Sequence, residues 1–132
     1  MISLQLSSDA YCGHDAIMDH TFEEGATGFV PTVVLWDQFT DTEGYVGYLP
    51  SDNSIYVVFR GSISTKNWLT DFDATLAEYE AFPECDCQVH AGFQMSVKTV
   101  YKEALSEVRR LMEMHPSYSV KVTGHSLGAA LA

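Results

Sequence analysis

The chain has 132 residues, enough for one domain at most. At 46% hydrophobic and 12% aromatic it can bury a core, which excludes disorder, and no apolar run approaches the roughly eighteen residues that span a bilayer. A net charge of −11 would repel phosphate, so nucleic acid is not an expected partner.

The start, Met1-Ile2-Ser3-Leu4, shows no basic region followed by an apolar core. No signal peptide is therefore visible, which leaves an intracellular protein or an absent leader as expectations. Residues 4 to 20 read as helical in part, with Tyr11 and Cys12 near the end and Gly13 as the stop. Residues 29–36 read as a strand whose Pro31 suits a sheet edge or a strand start. Residues 43–49 read as a second strand, and Pro50 to Ser54 are dense in turn formers. Residues 55–60, Ile-Tyr-Val-Val-Phe-Arg, run apolar without alternation, as a central strand covered on both faces does. The strands 43–49 and 55–60 make a hairpin.

Residues 61–92 read as a long loop with one short helix near Asn67 to Phe72. Its acidic run (Asp71, Asp73, Glu78, Glu80, Glu84, Asp86) is read as solvated rather than as a binding site. The clearest helix is 93–114, where Phe93, Val97, Val100, Tyr101, Ala104, Leu105, Val108, Leu111 and Met112 fall at helical spacing and Pro116 follows the end. Residues 118–123 read as a strand, and 127–132 as the start of a buried helix. Strand 55–60, helix 93–114 and strand 118–123 make a parallel right-handed crossover, and the fold class is α/β.

Between the last strand and the last helix stands Gly124-His125-Ser126-Leu127-Gly128. G-x-S-x-G on a strand–turn–helix corner marks a nucleophilic serine on a strained turn. Gly124 and Gly128 have a steric task there, because the bend crowds the positions two before and two after the serine. An ordinary turn with a surface serine is the plainer alternative. The three cysteines, Cys12, Cys85 and Cys87, form a poor metal set even with His90 nearby, so no metal is expected. A bridge between Cys85 and Cys87 is strained, and one thiol of the three is always left over.

Four segments in order resemble the fungal-type class 3 lipases: Arg60-Gly61-Ser62, Asn67-Trp68-Leu69-Thr70-Asp71, Val89-His90-Ala91-Gly92-Phe93, and residues 122–132 around Ser126. The family usually has another glycine where Ala129 stands. The resemblance implies an α/β-hydrolase fold with a central, mostly parallel sheet and flanking helices, here residues 1–132 as the N-terminal part of one such domain. It implies a carboxylic ester hydrolase, acting on acylglycerols without a cofactor. By position, Ser126 matches the nucleophile, and the Leu127 N–H and Ser62 match the oxyanion donors. Asp71 matches the carboxylate that supports Ser62. Trp68 and Leu69 match a lid helix that meets a lipid–water interface, with ordinary core packing as the alternative for Trp68. Cys12 resembles a family cysteine that often pairs with one near the C-terminus, and Cys85 and Cys87 resemble a loop bridge. Many members are secreted.

A serine hydroxyl needs a base, and the base needs an orienting carboxylate. In this fold both follow the serine, yet only six residues follow Ser126. His14, His20, His90 and His115 precede it, His90 is read as fixing the loop near Gly92, and His125 as packing and hydrogen bonding. The expectation is therefore a fragment with little turnover of its own. The alternative is a non-catalytic interaction protein, or a partial hydrolase fold completed by another chain. Substrate choice among triacylglycerol, phospholipid, galactolipid and feruloyl ester stays open, with Asn67-Trp68-Leu69 leaning toward lipid.

Overall fold

The computed structural model describes residues 1–61 and 75–132. Its centre is β3 (Ser54–Phe59), all six residues of which are buried. That burial explains the unbroken apolar run in the sequence, since both faces of the strand are covered. β3 pairs antiparallel with β2 (Thr42–Leu49), which pairs antiparallel with β1 (Val30–Asp37). On its other side β3 pairs in parallel with β6 (Ser119–Gly124). Among the described residues the sheet is thus mixed, with order β1-β2-β3-β6, rather than mostly parallel. The reason lies in the connections. Short turns join β1 to β2 and β2 to β3, and short turns can only join antiparallel neighbours. The one parallel pairing is the one bridged by a long helix, as the crossover reading requires.

One face of the sheet is covered by the N-terminal segment. Its helix α1 (Ile2–Asp9) continues through a tight turn to Cys12, and Gly13, at φ +90°, ends it. Leu6, Ala10, Ile17, Phe22 and Phe29 pack there against Tyr45, Tyr56 and Val58. The Tyr45 hydroxyl donates to the Leu6 carbonyl at 2.7 Å, and burial, with the Asp9 charge adding, raises its pKa so that it stays a donor. The other face carries α2 (Ala91–Met114), whose Val100, Ala104, Val108 and Leu111 meet Leu35, Val46, Ile55, Val57 and Phe59. Tyr101 and Met112, expected on that stripe, are exposed. Pro31 lies at a register shift in β1, at the sheet edge where a missing N–H costs least.

The expected loop between β3 and α2 holds two short strands among its described residues. β4 (Leu76–Glu78) and β5 (Gln88–His90) form an antiparallel hairpin, Leu76 opposite His90. Cys85 and Cys87 are disulfide-bonded in its connection, and Cys12 is a free, exposed thiol. Glu78, Glu80, Glu84 and Asp86 are exposed, as the solvated reading requires; Asp71 and Asp73 and the short helix expected near 67–72 lie outside the described residues. No described helix is long and apolar enough to cross a membrane.

The parallel pairing is fastened at one end by charge. Asp52, just before β3, accepts from the Tyr56 hydroxyl and from Lys121 Nζ of β6, each at 2.6 Å. The Lys121 bond, then the Tyr56 bond, hold the Asp52 carboxyl at about 2. The unfolded chain protonates it at about 3.9. Its stabilisation is therefore present above about pH 4 and is lost as pH falls toward 2. Asp52→Asn is expected to flatten the fall in unfolding free energy between pH 4 and 2, measured by urea titration; an unchanged slope would contradict this role.

Candidate active site

β3 and β6 run side by side with Phe59 opposite Gly124, so the chain leaves both strands at the same end of the sheet. Beyond β6 the chain turns through His125 and Ser126 into a short helix, α3 (Leu127–Leu131). Ser126 sits at φ +55°, ψ −121°. For a non-glycine residue this backbone costs on the order of 1–3 kcal/mol and persists only where its surroundings impose it.

The two motif glycines show what imposes it. A Cβ on Gly124 would lie 2.8 Å from Ala129 N and closer still to the Gly128 carbonyl. A Cβ on Gly128 would lie 2.8 Å from the Arg60 carbonyl oxygen, with that of Phe59 nearer yet. Helix α3 is therefore pressed against the ends of both strands, with no side chain between. The Gly128 N–H donates to His125 O at 2.9 Å and the Ala129 N–H to Ser126 O at 3.0 Å, which closes the turn into the helix. Ser126 is exposed, and its side chain has no hydrogen bond among the described residues. The N–H groups of a helix's first turn lack acceptors within the helix, so the Leu127 N–H begins α3 as a donor in want of a partner.

Gly61 closes the site from the β3 side. A Cβ there would stand 3.2 Å from Ser126 Cβ and 2.6 Å from His125 O. The chain after β3 thus passes directly beside the serine. Ser62 follows Gly61, but Ser62, Trp68, Leu69 and Asp71 all lie outside the described residues. Gly61 is held by Arg60, whose Nε donates to its carbonyl at 3.2 Å. Arg60 is only 6% exposed; its guanidinium pairs with the buried Glu43 and, at 2.9 Å, with Asp41. A charge at the end of a buried strand demands such partners, and an Arg closing the run 55–60 was the signal for them in the sequence.

The histidines are engaged elsewhere. His125 Nδ1 lies 2.9 Å from the Tyr11 hydroxyl, in line with the hydrogen-bonding reading. This contact, between residues 114 apart in sequence, brings the N-terminal segment onto the turn, which sequence patterns gave no means to foresee. His90 caps α2, its Nδ1 accepting from the Phe93 N–H at 3.3 Å. His14 stacks on Trp36 at 4.4 Å, and His20 approaches Asp9 at 3.4 Å. His115 stacks on Tyr118 ahead of β6, at the opposite end of that strand from Ser126. None makes a hydrogen bond with the serine. Among the described residues no group of three or more His, Cys, Asp or Glu could hold a metal.

Residues 56–132 match the family model described as lipase (class 3). Over 131 residues the chain is 36% identical to a lipase of Rhizomucor miehei, which covers 96% of this chain and 35% of that protein. It is 37% identical over 112 residues to the secreted mono- and diacylglycerol lipase A of Penicillium cyclopium, 83% of this chain and 36% of that one. A solved triacylglycerol lipase whose catalytic centre is formed by a serine protease triad superposes at a TM-score of 0.86 and 31% identity, covering 98% of this chain and 49% of that structure. The chain spans about a third to a half of the proteins it matches.

Gly128→Ala is expected to lower stability by about 3 kcal/mol, since a methyl group must displace backbone on β3. Ala129→Gly, at an exposed helical position, is expected to cost less than about 1 kcal/mol. Urea unfolding of the full-length variants distinguishes the two, and equal midpoints would contradict the packing described.

Proposed function

The chain belongs to the class 3 lipase family and has the α/β-hydrolase fold, and from that premise we propose that the protein is a carboxylic ester hydrolase acting on acylglycerols through Ser126. The observation that carries this reading is the left-handed backbone of Ser126 on the corner between β6 and α3. Such a corner lifts the hydroxyl clear of the sheet and leaves it open to an ester carbonyl.

The reaction is acyl transfer in two halves. A base takes the Ser126 proton, Oγ attacks the carbonyl carbon, and the alcohol leaves carrying that proton. Water then cleaves the acyl-enzyme and regenerates the serine. The developing oxyanion is received by the Leu127 N–H and by Ser62, with Asp71 supporting Ser62. Each such fixed donor is worth roughly 3–4 kcal/mol in the transition state. Gly61 has no side chain because the Tyr11 hydroxyl, His125 O and Ser126 Cβ crowd the place where one would stand, and this lets the chain pass close beside Ser126. Trp68 and Leu69 serve as a lid over the site. The acid and base belong to the part of the fold that the relatives have beyond the matched region, and residues 1–132 form part of that one larger domain. No cofactor takes part. The Penicillium relative described as secreted supports the same compartment for this protein.

In the full-length protein Ser126→Ala is expected to reduce hydrolysis of a nitrophenyl ester and of emulsified triacylglycerol by at least about 10⁴-fold while leaving the melting curve in place. Retained turnover in that variant would overturn the assignment.

A further inference from the structure

The turn between β1 and β2 lies at the catalytic end of the sheet. Asp37 pairs with Thr42, Gly44 with Phe59, and Phe59 with Gly124, so residues 38–41 rise just past the level at which Ser126 leaves β6. The turn is braced from within. Asp37 Oδ2 accepts from the Thr40 N–H at 2.8 Å and from the Thr40 hydroxyl at 2.7 Å, and the Thr40 and Thr42 hydroxyls are 2.7 Å apart. Asp41, at φ +49°, turns its carboxylate back to Arg60. Both acids of the turn are thus occupied, Asp37 by Thr40 within it and Asp41 by Arg60 at the end of β3. What projects is Phe39, 97% exposed. Trp36, 47% exposed and stacked on His14, stands at the base of the same turn, and Tyr11, also exposed, borders Gly61 at this end.

A lone exposed aromatic needs no explanation, but an ordered turn that spends its polar groups internally to hold one outward is a different matter. Within residues 1–132 folding gains nothing from it, since Phe39 buries no surface there. Aromatic side chains on a rim suit the boundary between water and lipid, where a ring enters the apolar layer. The net charge of −11, with Asp37, Asp41 and Asp15 flanking the rim, disfavours an anionic surface. We propose that Phe39, at the tip of the β1–β2 turn, anchors the catalytic end of the molecule in an uncharged lipid surface, independently of the lid. This rests on the reading of the site as a lipid ester hydrolase.

The test uses the full-length protein, phosphatidylcholine and phosphatidylglycerol vesicles, and soluble nitrophenyl acetate as a separate readout of the site. Wild type is expected to partition onto phosphatidylcholine more strongly than onto phosphatidylglycerol. Phe39→Ser is expected to lose about tenfold in phosphatidylcholine partitioning, and Phe39→Trp to keep it. Both variants should hydrolyse nitrophenyl acetate and melt as wild type does. The anchor is overturned if Phe39→Ser binds vesicles as wild type does, if wild type does not bind or prefers phosphatidylglycerol, or if gel filtration shows a wild-type dimer that Phe39→Ser dissolves. A wild type inactive on nitrophenyl acetate contradicts the catalytic reading instead, and is read independently of vesicle binding.

Discussion

The structure depends on a backbone-to-backbone approach with nothing in between. Gly128 of α3 rests on the Phe59 and Arg60 carbonyls, and Gly124 of β6 rests on Gly128. With the helix pressed that close, the two residues between strand and helix, His125 and Ser126, must absorb the whole change of direction. Ser126 does its part in a left-handed conformation. The strain is held by the packing of α3, through Leu131, into the same apolar cluster as α2 and β3. The local cost is small against the burial that opposes it. Position and exposure of the hydroxyl follow from this packing rather than from any hydrogen bond on it.

A second constraint operates at the end of β3. A buried guanidinium without partners would cost several kcal/mol, and breaking a buried pair typically costs about 3–5 kcal/mol. Glu43 and Asp41 supply those partners from β2 and from the turn before it. Arg60 in turn holds the Gly61 carbonyl. The strand end that faces Ser126 is therefore tied to the β1–β2 turn by charge, to β2 by the Arg60 N–H donating to Glu43 O at 2.8 Å, and to α3 by close packing. Three elements of distant sequence meet at one corner, and Tyr11 adds a fourth through His125.

What was legible in the sequence was whatever a short pattern carries. The G-x-S-x-G corner needs only five residues in a row. β3 announced itself by six apolar or buried positions without alternation, and α2 by its stripe. The stripe over-reached at Tyr101 and Met112, each of which directly follows a buried residue, Val100 and Leu111, and so lies about 100° round the helix from it. β4 and β5, three residues each, are too short for alternation to register. The Tyr11–His125 contact depends on chain path, which no local pattern encodes; Arg60 at the end of an apolar run signals that partners are needed there, but not that Glu43 and Asp41 supply them. The antiparallel share of the sheet, by contrast, was implicit in the hairpin read over 43–60 and was outweighed by the family likeness.

Backbone packing sets where the Ser126 hydroxyl stands and leaves it open to attack an ester once a base takes its proton. Reaction of the full-length protein with a fluorophosphonate, followed by peptide mass spectrometry, measures this most directly. The account predicts one adduct per molecule, on the peptide containing Ser126, and its disappearance when Gly128→Ala loosens the corner. An adduct on another residue, or a Gly128→Ala variant that folds with α3 displaced and still labels at the wild-type rate, would contradict it.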